Sequence, residues 1–109
     1  MKRINLGELE EMVLLVVANL GANAYGLSIQ EYLLSNCDRK VSISTVHSTI
    51  HRLEDKGLLE SRYGHDRSAE RGGRPKLLFQ VTTPGMKAIA TVRDQRNALW
   101  TTMPALSIE

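Results

Sequence analysis

Apolar residues recur at intervals of three and four through most of this chain, the spacing of amphipathic helices. Leu6, Leu9, Met12, Val13, Val16, Val17 and Leu20 form a first stripe that stops at Gly21, and Asn5-Leu6-Gly7-Glu8 ahead of it reads as a capping box. Residues 12–18 are apolar on every side. The predicted helix therefore needs covering all round, with part of the cover expected from a second subunit. A second helix over residues 25–36 is predicted to bury Leu27, Ile29, Leu33 and Leu34, with a turn near Asp38-Arg39-Lys40. Ile43, Val46, Ile50, Leu53 and the closing Leu58 mark a third helix, with Ser42 or Ser44 as N-cap and Gly57 in the left-handed position at its end. Thr82-Thr83-Pro84-Gly85 opens a last helix, which runs to about Thr102 before Pro104 and presents Met86, Ile89, Val92, Leu99, Trp100 and Met103.

Between the third and last helices the period changes. Leu58, Leu59, Ser61 and Tyr63 form a short strand-like run, and Leu77, Phe79 and Val81 alternate with Leu78, Gln80 and Thr82. The segment joining them contains no core-forming side chain. Its neighbourhood carries Arg62, Arg67, Arg71, Arg74, Lys76 and His65 against Glu60, Asp66 and Glu70, with Gly72 and Gly73 free to take positive φ at the tip. Gly73-Arg74-Pro75 resembles the core of an A-T hook, in which an extended backbone lays arginine in a narrow minor groove. The plainer reading is a tight turn whose proline starts an edge strand. A helix followed by a hairpin with a basic, glycine-rich tip predicts a winged helix-turn-helix: a mainly α fold with a small antiparallel β wing.

The third helix then gains a functional reading. Opposite its apolar stripe lie Ser44, Thr45, His47, Ser48, His51, Arg52 and Asp55. Short hydrogen-bonding groups near a helix N-terminus allow close approach to a major groove, and the first turn meets phosphate or base edges. The candidate DNA-binding set is Ser44, Thr45, His47, Ser48, His51 and Arg52 on the helix, with Arg71, Arg74 and Lys76 on the wing. An ordinary solvated helix face carries the same residue types, so the helix alone does not decide between the two.

Length and charge agree with a small regulatory module. The 109 residues suffice for one core. The net charge of +2 is unevenly spread, with seven Lys/Arg against five Asp/Glu in residues 43–76, where all three histidines also lie. A modest basic stripe favours DNA over a membrane surface. The single cysteine, Cys37, cannot form an internal disulfide, which fits a reducing cytoplasm. No run reaches the ~18 apolar residues of a membrane span, and no signal-peptide pattern precedes the first helix. Cytoplasmic localisation is the expectation.

The ordered motifs resemble the PadR-like transcriptional regulators over nearly the whole stretch from Leu6 to Leu99. They are Leu14-Leu15, Tyr25-Gly26-Leu27-Ser28-Ile29, residues 42–54 with Arg52-Leu53-Glu54, and Lys56-Gly57-Leu58-Leu59. Glu70-Arg71-Gly72-Gly73-Arg74-Pro75, Phe79-Gln80-Val81-Thr82, Pro84 and Gly85 complete the set. The resemblance implies a DNA-binding winged helix-turn-helix over residues 1–83 and a C-terminal dimerisation helix and tail over 84–109, the short form of the family. It implies a homodimeric repressor that binds inverted-repeat operators in double-stranded DNA. It also admits a small aromatic effector at a dimer interface, for which Val13, Val17, Leu99, Trp100 and Met103 are the candidate residues. His47 stands where the family usually has a tyrosine and Ser48 where it often has a proline, so the tyrosine's phosphate contact does not carry over directly. An imidazole can still donate to a phosphate oxygen.

Two other readings compete. His47 and His51 are four apart and could share a zinc ion, but Ser48 stands where a metalloprotease helix has its glutamate, and no third ligand follows clearly. No nucleophile elbow, P-loop or dinucleotide fingerprint is present, so neither enzyme nor cofactor is expected. A protein-binding adaptor is the stronger alternative, against which the basic stretch from His47 to Lys76 counts. Trp100, the only tryptophan, is read first as an interface or core anchor and second as one of a pair of rings flanking an effector cavity.

Overall fold

The computed structural model describes residues 5–64 and 76–105. Helix α1 (Glu8–Leu20) leads through a single 3-10 turn, Gly21–Asn23, to α2 (Gly26–Cys37) and α3 (Ile43–Asp55). Strands β1 (Leu59–Tyr63) and β2 (Leu77–Val81) follow, and α4 (Thr83–Thr102) closes the chain. The four helices and the two-stranded antiparallel sheet give the winged helix-turn-helix that the pattern predicts.

Each helix end has a local cause. The box at the start of α1 is shifted from the predicted one: the Gly7 amide donates to Glu10 Oε1 at 2.7 Å, so the reciprocal acid is Glu10 rather than Glu8. Ser28 performs the same task for α2, its Oγ accepting from the Tyr25 amide at 2.9 Å. Ser42, not Ser44, caps α3, accepting from the Thr45 amide at 3.1 Å. At the far end of α3, Gly57 takes φ 75°, and the amides of Gly57 and Leu58 donate to the carbonyls of Glu54 and Leu53. That pair of bonds is a Schellman cap, with Leu58 folded back beside Leu53 in the core. Thr82 caps α4 through the Gly85 amide, with Pro84 in the first turn.

One core serves the whole N-terminal part. Val13, Leu14, Val16 and Val17 of α1 meet Ile29 and Leu33 of α2, Val46, Ile50 and Leu53 of α3, and Leu58, Leu59, Phe79 and Ile89. One expectation fails here. Leu27 and Leu34, predicted buried, are among the exposed large apolar residues, because Ile29 and Leu33 already turn the opposite stripe of α2 inward. Val13 and Val17, predicted at the effector and dimer interface, are 0% and 2% exposed inside the single chain. Of the all-apolar stretch only Leu15 and Ala18 face outward.

The sheet is tied to this core at its base. Leu59 pairs with Val81, Ser61 with Phe79 and Tyr63 with Leu77, so Leu59 and Phe79 share the buried face. A backbone bond from the Phe79 amide to the Ala24 carbonyl, 2.8 Å, fastens the wing to the loop before α2. Thr82 locks the other side, its amide donating to the Leu58 carbonyl and its hydroxyl to the Gly57 carbonyl. Gly85 is required at this junction, since a Cβ there would sit 2.3 Å from the Leu58 oxygen.

A candidate nucleic-acid interface

Because Val46, Thr49, Ile50 and Leu53 fill the inner side of α3, the helix can present only its other side to solvent. Ser44, His47, Ser48, His51 and Arg52 are all exposed there, and Thr45 is half-buried. Ser44 and Ser48 stand one turn apart, as do His47 and His51, giving two short parallel rows. The first turn is organised by hydroxyls: Ser42 Oγ lies 3.1 Å from Ser44 Oγ and donates to Thr45 Oγ1 at 2.9 Å. Ser48 Oγ donates to the Thr45 carbonyl at 3.1 Å, so its hydroxyl remains near the helix surface.

His47 is packed as well as exposed. It lies against Gly26 at the start of α2, where a Cβ would come within 2.8 Å of the imidazole Cε1, so a larger residue there would push the ring aside. Lys76, at the root of the wing, places its ammonium 4.3 Å from the centre of the Tyr25 ring, a cation–π contact. Tyr25, Leu27, Ile43, His47, Lys76 and Leu77 line a cleft of about 290 Å³ between the helix-turn-helix and the wing. His51 faces Glu54 at 3.6 Å. Arg71 and Arg74, the predicted wing-tip contacts, lie outside the described residues.

Arg52 is placed differently from the others. Its Nη2 donates to Thr49 Oγ1 at 3.2 Å and its Nε is 3.9 Å from Glu10 Oε2, so the guanidinium bends toward α1. Thr49, absent from the sequence-based set, is fully buried and orients Arg52 while its hydroxyl donates to the Thr45 carbonyl at 2.8 Å. Glu10 was also not singled out. Its carboxylate is almost wholly buried and takes two bonds of 2.9 Å from Lys56 Nζ besides that from the Gly7 amide. Burial pushes its pKa up, but the Lys56 hydrogen bonds, the Gly7 amide and the charges of Lys56 and Arg52 outweigh it, and the carboxyl is held below the usual glutamate value. The only sequence signal for this cluster was one of three acids, Glu8, Glu10 and Glu11, in the first turn of α1.

The distal residues of the interface set stand apart. Leu99 and Trp100 are 69% and 66% exposed, and Met103 is also exposed. A cleft of about 370 Å³ opens elsewhere, between the end of α1 and the wing, lined by residues including Val17, Ala18, Arg62, Leu78 and Met86. Among the described residues no group of three His, Cys, Asp or Glu side chains converges as a metal site, and no single helix is long and apolar enough to cross a membrane.

The arrangement defines a winged helix-turn-helix with a polar third helix and a long terminal helix. No family model matches the chain, and no curated sequence does. Solved structures do. A PadR family transcriptional regulator from Eggerthella lenta is 26% identical, with 86% of this chain and 80% of that one covered at a TM-score of 0.63. A PadR-like transcriptional regulator from Bacillus cereus is 17% identical, over 86% and 85% of the two chains, with a TM-score of 0.70. A transcriptional regulator from Clostridium thermocellum is 18% identical, over 85% and 84%, with a TM-score of 0.66. The fold is that of the PadR-like winged-helix transcriptional regulators, shared over most of the chain at low sequence identity.

Proposed function

We propose that this chain is a DNA-binding transcriptional regulator of the PadR type that acts as a homodimeric repressor on inverted-repeat operators. Residues 1–83 form the DNA-binding unit, and 84–109 the dimerisation helix and tail. The observation that carries the reading is the exposed face of α3. Its inner side is saturated by the core, and its outer side is a double row of serine and histidine groups with no large apolar residue between them. In this reading the start of α3 enters the major groove, with Ser44, Thr45, His47, Ser48 and His51 nearest the base edges and phosphates. Lys76, Arg71 and Arg74 belong to a wing that tracks the adjacent minor groove.

The dimer is supported by the exposed Leu99, Trp100 and Met103, since an apolar patch at a helix end calls for cover. Two such helices meeting about a twofold axis bring the Trp100 rings together, where a flat aromatic effector could stack between them. Selection of bound duplexes from a random pool tests the DNA reading and yields the operator. Ser48→Glu places a carboxylate against phosphate and is expected to abolish binding with thermal stability unchanged. A Ser48→Glu protein that binds like the parent would move the interface to another surface, and enrichment of no sequence would favour a protein-binding adaptor.

A further inference from the structure

Arg52 is the only lysine or arginine within α3, and it continues the row of Ser44 and Ser48 one turn further on. A cation rooted at that point is well placed to reach a phosphate, yet its guanidinium, on a side chain still 55% exposed, leans toward α1, 3.2 Å from Thr49 Oγ1 and 3.9 Å from Glu10 Oε2. Lys56, four residues on, is held more fully. Its ammonium has three donors, and the three bonds it makes run to Glu10 Oε1 at 2.9 Å, Glu10 Oε2 at 2.9 Å and the Asn5 carbonyl at 2.6 Å. One buried carboxylate thus binds Lys56 and draws Arg52 toward it at the C-terminal edge of the candidate reading helix.

Resting on the DNA-binding reading above, we propose that Glu10 limits sequence-independent affinity for DNA by keeping Arg52 and Lys56 off its phosphates. Contacts from lysine and arginine to phosphate release counterions and strengthen binding to any sequence alike. Removing two of them lowers that sequence-independent attraction and leaves discrimination to the short polar groups of α3. The carboxylate does not give the cations up readily, because an unpaired buried charge is costly. It stays ionised at neutral pH, since its cationic neighbours and the Gly7 amide hold its pKa down.

A purely structural ion cluster, holding α1 to α3, makes a different prediction, and the salt dependence of binding separates the two. The probe is a mixed-sequence DNA duplex of about two helical turns, ~20 bp, titrated with the full chain over a range of salt concentrations. Each cation newly placed on a phosphate steepens the log–log slope by ~0.9. Glu10→Gln, which keeps the shape and an acceptor oxygen but loses the charge, is expected to steepen the slope by ~1 to 2 and to tighten binding to selected and mixed-sequence DNA alike. Adding Arg52→Ala to that variant should take back ~1 of the gain. In the parent background Arg52→Ala should leave the slope unchanged.

A folded Glu10→Gln protein with the parent's slope overturns the proposal. So does a shallower slope from Arg52→Ala alone, because it would mean that Arg52 already touches phosphate. If Glu10→Gln does not fold, Glu10→Asp, which keeps the charge but draws the carboxylate back by one methylene, takes its place: it should steepen the slope, and an unchanged slope overturns the proposal. A parent that binds no duplex even at low salt overturns the DNA reading itself, and the role of Glu10 with it.

Discussion

Helices α1 and α4 both expose apolar sequence to prediction, and the structure treats them in opposite ways. In α1 the residues Val13, Leu14, Val16 and Val17 are all buried by the chain's own α2, α3 and wing. In α4 the core reaches only the first half, through Gly85 and Ile89, and every residue from Arg93 onward is exposed. Arg96 still reaches back to Glu11 at 2.8 Å, so the helix runs along α1 without burying its tip. The contrast teaches that an all-round apolar helix need not await a partner when three other elements surround it, whereas a narrow apolar patch on a projecting helix has nothing among the described residues to cover it.

That contrast can be broken most directly in α1. Leu14→Ala empties a fully buried site and is expected to cost 2–5 kcal/mol, about the usual range for such a truncation. Denaturant unfolding at several protein concentrations should give the same loss each time, and a loss that varied with concentration would return α1 to the interface. The next largest effect is expected in α4. Trp100→Ala should weaken self-association by about 2 kcal/mol, the scale of an interface hot spot, and leave the unfolding of the dilute protein unchanged. Sedimentation across a concentration series reads this, and an unaltered association constant would remove Trp100 from the interface.

Smaller effects sharpen the α3 side. Ser42→Ala deletes the cap of α3 and should cost about 1 kcal/mol, while Ser44→Ala, which caps nothing, should be close to neutral by the same thermal melt. The smallest effect is expected from Glu10 on acidification, because burial opposes the ion pairs that hold it charged. Its folded pKa lies below the unfolded one, so its contribution is complete above the ordinary glutamate value, about 4.3, and is lost as pH falls through the lower folded value. Stability curves for parent and Glu10→Gln should therefore converge at acid pH, and curves that stayed parallel would show that the carboxylate does not titrate with folding.

Much of the scaffold was legible because periodicity and punctuation are local. The stripe ending at Gly21, the stripe ending at Gly57 and the Thr82-Thr83-Pro84-Gly85 start each name an element within a few residues. The orientation of α2 was less so. Its Leu27 and Leu34 form one apolar row and Ile29 and Leu33 another, and only packing against α1 and α3 decides which row turns inward. Ser44, His47, Ser48 and His51 were found on the exposed side of α3 because the buried stripe dictates its own opposite. Glu10 was missed for a different reason. Its partners Arg52 and Lys56 are far along the chain, and no sequence spacing encodes a contact that arises only when α1 crosses α3.

The crowded junction at Gly85 has a mechanical consequence. There the Leu58 carbonyl, the Thr82 cap and the first turn of α4 meet with no room for even one added carbon, so α4 is anchored at its base and unsupported at its tip. Its 20 residues make a rod of ~30 Å at ~1.5 Å per residue. A rotation of about 5° at the anchored end would carry the Trp100 end sideways by roughly 2–3 Å over such a rod. In the proposed dimer the rod works as a lever with its fulcrum beside the wing: a small displacement where two tips press together becomes a still smaller turn at the base, and leverage, more than reach, sets how finely events at the tips adjust the angle of the proposed DNA-reading parts.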